Sequence, residues 1–170
     1  MDRRFVLPLA LLIAFSACGR RGGQVLRGDA APPFSLATLT GTVVRFPEDV
    51  AGRAVVIRFW ASSCRFCEKE MKEIDPIASR LSGDGISMLA VNVGQDRDAV
   101  RSFVDRVNFH YSALLDEPAA TARLYGVKGL PTTFFVLPNG RVQNRMVGEL
   151  DASTFERMAR ELVSAGGGRR

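Results

Sequence analysis

The chain has 170 residues, 46% hydrophobic and 24% charged, with a formal charge of +5 and three cysteines. That balance excludes a disordered chain and a multi-span membrane protein, and it allows one globular domain with a substantial core. The basic surplus comes from 20 Arg and 3 Lys scattered along the chain, with no basic stripe interleaved with aromatics. Nucleic-acid binding is therefore not expected, while anionic lipid headgroups or acidic partners suit such a surface.

Residues 1–17 read as an export leader of lipoprotein type. Asp2-Arg3-Arg4 is a charged start, and residues 5–17 form an apolar run of 13, short of the roughly 20 that a membrane-spanning helix needs. The junction Phe15-Ser16-Ala17-Cys18-Gly19 resembles the lipobox of bacterial lipoproteins, in which the cysteine is lipidated; Phe15 departs from the usual Leu. Ordinary leader cleavage fits less well, because it wants a small residue at Phe15, and an uncleaved anchor is the alternative. Either way the domain is expected outside the cytoplasm, anchored to the membrane. Residues 18–27, rich in Gly and Arg, read as a flexible tether, 28–165 as the folded domain and 166–170 as a disordered tail.

Within the domain, Phe34-Ser35-Leu36 and Val43-Val44-Arg45-Phe46 flank Leu39-Thr40-Gly41-Thr42, a small hairpin. Residues 54–60 are apolar except for Arg58, which predicts a central strand covered on both faces. From 64 to 81, Cys67, Met71, Ile74, Ala78 and Leu81 fall on one helical stripe, with a kink expected at Pro76. A second buried strand follows at 86–93, and a helix at 98–107 turns Val100, Phe103, Val104 and Val107 inward. A short strand at 111–115 and a helix near 119–125 come next. Residues 132–137 and 141–147 flank Pro138-Asn139-Gly140, a hairpin signal. Asp151 or Ser153 then caps a last helix that faces Phe155, Met158 and Leu162 to the core. This order predicts an α/β sandwich, a mixed sheet with helices on both sides.

With Cys18 assigned to the leader junction, Cys64 and Cys67 of the stretch FWASSCRFCEKEM remain for the domain. A structural zinc site needs four ligands and a catalytic one three. The single histidine, His110, stands 43 residues beyond Cys67 and reads as a surface or loop residue. As a structural staple the pair closes too short a loop to remove much unfolded-state entropy. The redox reading accounts for the placement best. A helix beginning at Cys64 sets its sulfur beside unpaired N–H groups, Arg65 adds positive charge, and both favour the thiolate. Cys67, one turn on, shares the stripe of Met71 and is expected to be the more buried. An exposed, acidic sulfur attacks and a shielded one resolves the mixed disulfide. No cofactor or metal is called for.

Three stretches then carry a family resemblance: Phe59-Trp60-Ala61-Ser62-x-Cys64-x-x-Cys67-x-Lys69-Glu70, Ala90-Val91-Asn92-Val93-Gly94, and Tyr125-Gly126-Val127-x-Gly129-x-Pro131-Thr132-Thr133-Phe134. Together they resemble the thioredoxin-like thiol–disulfide oxidoreductases of the TlpA/ResA type. The resemblance implies a thioredoxin fold with a mixed central sheet flanked by helices, an N-terminal β-hairpin and a central insertion. It also implies membrane tethering and reduction of disulfides in exported proteins, apocytochrome c among them, by a monomer. Electrons would come from a DsbD/CcdA-like membrane donor. Cys64 would be the nucleophile and Cys67 the resolving thiol. Glu70 would handle protons near them, its alternative being an exposed charge in the first helical turn. Pro131 would follow a cis bond, and Trp60, Phe66, Leu130 and Thr132 would meet the substrate.

Departures from the family pattern mark what is particular here. Ser63 replaces a frequent Trp, and Arg65-Phe66 replaces a dipeptide that commonly ends in Pro. Arg58 stands where the family often has Asn. A lone buried arginine is costly, so Arg58 is expected either to pair with Glu70 and favour the thiolate, or to carry its charge to the surface on its long stem. Two rival functions stay open: a peroxiredoxin, because Asp29-Ala30-Ala31-Pro32-Pro33-Phe34 would also open that family, and a lipid-tethered haem or metal chaperone using the two thiols. Ala61 and Ile57 occupy the places where a peroxiredoxin usually has Thr or Ser and Pro.

Overall fold

The computed structural model describes residues 23–166. The expected leader, the lipidation site Cys18 and residues 167–170 of the expected tail lie outside the described residues. A hairpin of β1 (Phe34–Thr38) and β2 (Val43–Phe46) comes first, then β3 (Ala54–Trp60), α1 (Cys67–Gly83) and β4 (Ile86–Val93). Next are α2 (Arg97–Val107), β5 (Ser112–Asp116) and α3 (Ala120–Leu124), before β6 (Thr132–Val136), β7 (Val142–Val147) and α4 (Ala152–Gly166).

The strands form one sheet in the order β2-β1-β5-β4-β3-β6-β7. β3, β4 and β5 are parallel neighbours, while β6 runs antiparallel to β3 and β1 antiparallel to β5. The segment α2–β5–α3 lies between the β3–α1–β4 and β6–β7–α4 units, where a central insertion is expected. Because β3, β4 and β5 step the same way across the sheet, right-handed crossovers put α1 and α2 on one face. Helix α4 packs beside α1 there, and α3 covers the other face.

All seven residues of β3 are buried, and its period of two sorts them. Val55, Ile57 and Phe59 enter a cluster with Tyr125 and Phe134. Ala54 and Val56 pack with Ile74, Ala78, Phe155 and Leu162, and Trp60 with Cys67, Met71 and Phe103. By parity Arg58 belongs under α1, between the last two clusters.

Two expectations are corrected. Helix α1 starts at Cys67 rather than Cys64: the Cys64 N–H donates to Ala61 O (3.0 Å) and the Cys67 N–H to Cys64 O (3.1 Å), so residues 61–66 are turns. The described part of the expected tether is not free along its whole length, since Val25 docks on the domain beside its first residues. Val25 is buried with its N–H on Tyr125 O, Gly28 donates to Val142 O, and Ala30 pairs antiparallel with Arg141. Two adjacent apolar residues, Val25 and Leu26, in a Gly/Arg-rich stretch give no period by which this docking shows.

Gly126 (φ +65°) lies under that segment, and a Cβ there would stand 2.7 Å from Gln24 Cα; Gly41 (φ +90°) has open space around it. Gly126→Ala is expected to lose about 2 kcal/mol or more, and Gly41→Ala about 1 kcal/mol, in denaturant titrations. Equal losses would show that the 23–28 segment is not docked in solution.

Candidate active site

The site sits at the sheet end where β3 stops. Its first half is the cysteine turn. Cys64 and Cys67 are joined by a disulfide, their Cα atoms 5.4 Å apart. Cys67 is fully buried against Trp60 and Met71, Cys64 is half-buried, and between them Arg65 is exposed and Phe66 is 48% exposed. The Arg65 guanidinium lies 5.9 Å from the Phe66 ring centre. Although Cys64 precedes the helix, its bond to Cys67 ties it to the first residue of α1.

The second half is the loop ahead of β6. The Leu130–Pro131 bond is cis. Thr132 faces Phe59 across the β3–β6 ladder, which puts Pro131 at the same sheet end as the cysteine turn. Gly148 N–H donates to Pro131 O (2.8 Å), and the Thr132 hydroxyl donates to Gly129 O (2.6 Å). Trp60 and Thr132, expected to meet substrate, are both 0% exposed. Strand parity turns Trp60 inward, 4.6 Å from the Phe103 ring centre and 6.0 Å from that of Phe109. Phe66 and the half-buried Leu130 are the accessible members of the expected substrate-binding set.

Beneath the cysteines lies a buried ion pair. Arg58 Nη2 and Glu70 Oε2 are 2.5 Å apart, with side chains 0% and 1% exposed. Arg58 Nη1 donates to Thr133 Oγ1 (2.8 Å), and Glu70 Oε1 accepts from the Leu150 N–H (2.9 Å). Neither the exposed-charge alternative for Glu70 nor the surface route for Arg58 holds, because Glu70 lies on the buried face of α1 and Arg58 is enclosed beside it. Burial pushes the Glu70 carboxyl above its ordinary value, outweighing the Arg58 guanidinium and the Leu150 amide, which pull it down. The nearby Tyr111 hydroxyl is buried without a hydrogen bond among the described residues, and burial raises it too.

Three residues given no role from sequence hold the turn's near end. Gln95 Oε1 accepts from Ser62 N–H (2.7 Å) and from Asn92 Nδ2 (2.9 Å), and Gln95 Nε2 donates to Ser62 Oγ (2.6 Å). Ser62 and Asn92 fell within the family motifs; Gln95, next to Gly94, did not. His110 is exposed and paired with Asp75 (2.8 Å). Among the described residues no three His, Cys, Asp or Glu side chains are grouped to hold a metal.

Removing one partner of a buried ion pair strands the other, at about 3–5 kcal/mol. Arg58→Leu is expected to lose that much at pH 7, and Arg58→Leu/Glu70→Leu to regain most of it. The folded-state pKa of Glu70 lies above its ordinary 4.5. Its contribution to stability is therefore complete below that value and declines as pH rises through the folded value. Without Arg58 the decline steepens and extends to higher pH. Chemical denaturation between pH 4 and 8 checks both; single and double variants of equal stability would refute the coupling.

Residues 27–145 match the AhpC/TSA family. The chain is 32% identical over 130 residues to the thiol-disulfide oxidoreductase ResA of Geobacillus kaustophilus, spanning 76% of this chain and 74% of that protein. It is 30% identical over 130 residues to ResA of Bacillus subtilis, spanning 76% and 72%. A crystal structure from Chlorobium tepidum, described as a thiol:disulfide interchange protein of DsbE type, superposes with a TM-score of 0.76 at 31% identity. The match covers 82% of this chain and 99% of that one. A second Chlorobium tepidum structure, of a thioredoxin family protein, shares the fold at a TM-score of 0.72 and 22% identity. The chain belongs to the AhpC/TSA family and, at closer range, to the thiol–disulfide oxidoreductases of the TlpA/ResA type.

Proposed function

We propose that this dithiol oxidoreductase works outside the cytoplasm as a reductase of disulfides in exported proteins, apocytochrome c before haem attachment among them. The observation that carries the reading is the asymmetry of the pair, with Cys64 half-buried and Cys67 fully enclosed. An external disulfide reaches Cys64 and is shielded from Cys67. In the reduced chain the Cys64 thiolate attacks one sulfur of the substrate disulfide, and the other leaves as a thiolate that takes up a proton. Cys67 then attacks the Cys64 sulfur, giving its thiol proton to Glu70, and the second substrate sulfur leaves as a thiolate that takes up a proton. Two electrons have passed to the substrate, and the chain is left with its Cys64–Cys67 disulfide. A DsbD/CcdA-like membrane donor would return the electrons, with the chain anchored nearby through a lipid on Cys18.

The remaining roles follow from position. The backbone at Leu130–Pro131 would take an extended substrate segment as an added strand, with Phe66 giving apolar contact. Arg65, and Arg58 through Glu70, would favour the Cys64 thiolate. Peroxidase chemistry is less well supported, since Ala61 and Ile57 stand where a peroxiredoxin has polar and proline residues.

Three measurements test this. With a disulfide-bonded CxxCH peptide, Cys67→Ser is expected to accumulate a mixed disulfide through Cys64; a variant that accumulates none, together with a metal retained through dialysis, would favour the chaperone reading. The reduction potential is expected nearer to thioredoxin's, about −270 mV, than to the oxidant DsbA's, about −120 mV; a value near the latter reverses the direction. Arg58→Asn is expected to raise the Cys64 pKa read from thiolate absorbance, and an unchanged value removes Arg58 from the chemistry.

A further inference from the structure

We propose that Gln95 is a positioning residue for thiol–disulfide exchange: its side-chain amide clasps the cysteine turn to the end of β4 and thereby sets how readily Cys64 and Cys67 close on each other. The inference rests on the dithiol chemistry and on neither direction of electron flow.

The order of protons in the clasp is fixed by its one unambiguous donor. The Ser62 backbone N–H can only donate, so the atom 2.7 Å from it is the Gln95 carbonyl oxygen. The Gln95 amide nitrogen is then the atom 2.6 Å from Ser62 Oγ, and that hydroxyl oxygen accepts. The Asn92 nitrogen at 2.9 Å must in turn donate to the same Gln95 oxygen. This turns the Asn92 carbonyl oxygen away, buried and without a hydrogen bond among the described residues. Each amide therefore has one orientation.

The clasp is anchored on both sides. Gln95 follows Gly94, whose N–H donates to Asp116 O (3.0 Å), and precedes Asp96, whose carboxylate caps α2 by accepting from Ala99 N–H (2.8 Å). Asn92 is fully buried beside Trp60 in the β3–β4 register. On the cysteine side, Ser62 follows Ala61, whose carbonyl accepts the Cys64 N–H, and the Cys64 carbonyl accepts the Cys67 N–H. Cys67 is fixed separately, as the buried first residue of α1, packed with Trp60 and Met71. Cys64 thus hangs from the clasped segment, and losing the clasp lets its sulfur wander from a stationary Cys67.

The consequence is a lower effective concentration of one thiol at the other. In glutathione redox buffers, the full-length Gln95→Ala chain is expected to form its disulfide with a constant reduced about 3- to 10-fold, the effect of losing two ordinary hydrogen bonds at a turn. Resolution of the Cys64–glutathione mixed disulfide is expected to slow by a similar factor. Ser62→Ala keeps the backbone contact and loses one hydrogen bond, so it should show a partial shift. Ser62→Ala/Gln95→Ala should be no worse than Gln95→Ala, since the two residues act through one contact. A merely structural role would lower thermal stability and leave both redox readouts at wild-type values, and that result overturns the proposal, as does additivity of the two substitutions. Should Gln95→Ala not fold, Ser62→Ala decides alone: a wild-type constant and rate refute it.

Discussion

A guanidinium and a carboxylate taken out of water are costly unless they find each other and further partners, and Arg58 and Glu70 find theirs only when four segments have come together. Arg58 stands on β3 and Glu70 on α1; Thr133 of β6 and the Leu150 amide ahead of α4 complete the arrangement. Three of these segments, β3, α1 and β6, also carry the site. Glu70 lies one helical turn beyond Cys67, and Thr133 lies two strand residues beyond Pro131. The constraint that pairs the buried charges therefore also holds Cys67 and the proline loop against each other.

The cysteine pair is thereby held in two different ways. Cys67 belongs to the core, packed with Trp60 and Met71 where hydrophobic burial resists movement. Cys64 belongs to a turn held by amide hydrogen bonds at its near end. Dithiol chemistry needs this division, because one sulfur must reach outward to a partner and return to a second that has not moved. Glu70, raised by its enclosure, stands on the same helix as Cys67, one turn on.

Much of this was legible in the sequence, for reasons that differ by element. The near-continuous apolar run at 54–60 announced a doubly covered strand, and Pro138-Asn139-Gly140 announced its hairpin, where Gly140 has φ +79°. Both signals are local. The pairing of Arg58 with Glu70 was one of two readings, and parity along β3 decides it by sending both Arg58 and Trp60 beneath α1. That parity was already in the sequence and spoke against Trp60 as a substrate contact. The start of α1 was misplaced because the helical stripe continues back to Cys64, while backbone hydrogen bonds make residues 61–66 turns. Gln95 was not legible: its partner Ser62 is 33 residues away, and an amide in a loop carries no period.

The packed entry segment bears on how the molecule takes mechanical load. Val25, Gly28 and Ala31 each donate a backbone hydrogen bond sideways, to Tyr125, Val142 and Gly140, and Arg141 reaches back to the Gly28 carbonyl. A tension applied along residues 23–31 would bear on these bonds first. They run to β7, to the turn before it and to the residue after α3, and Val25 itself packs in the core cluster that holds Val55, Ile57 and Phe59 of β3.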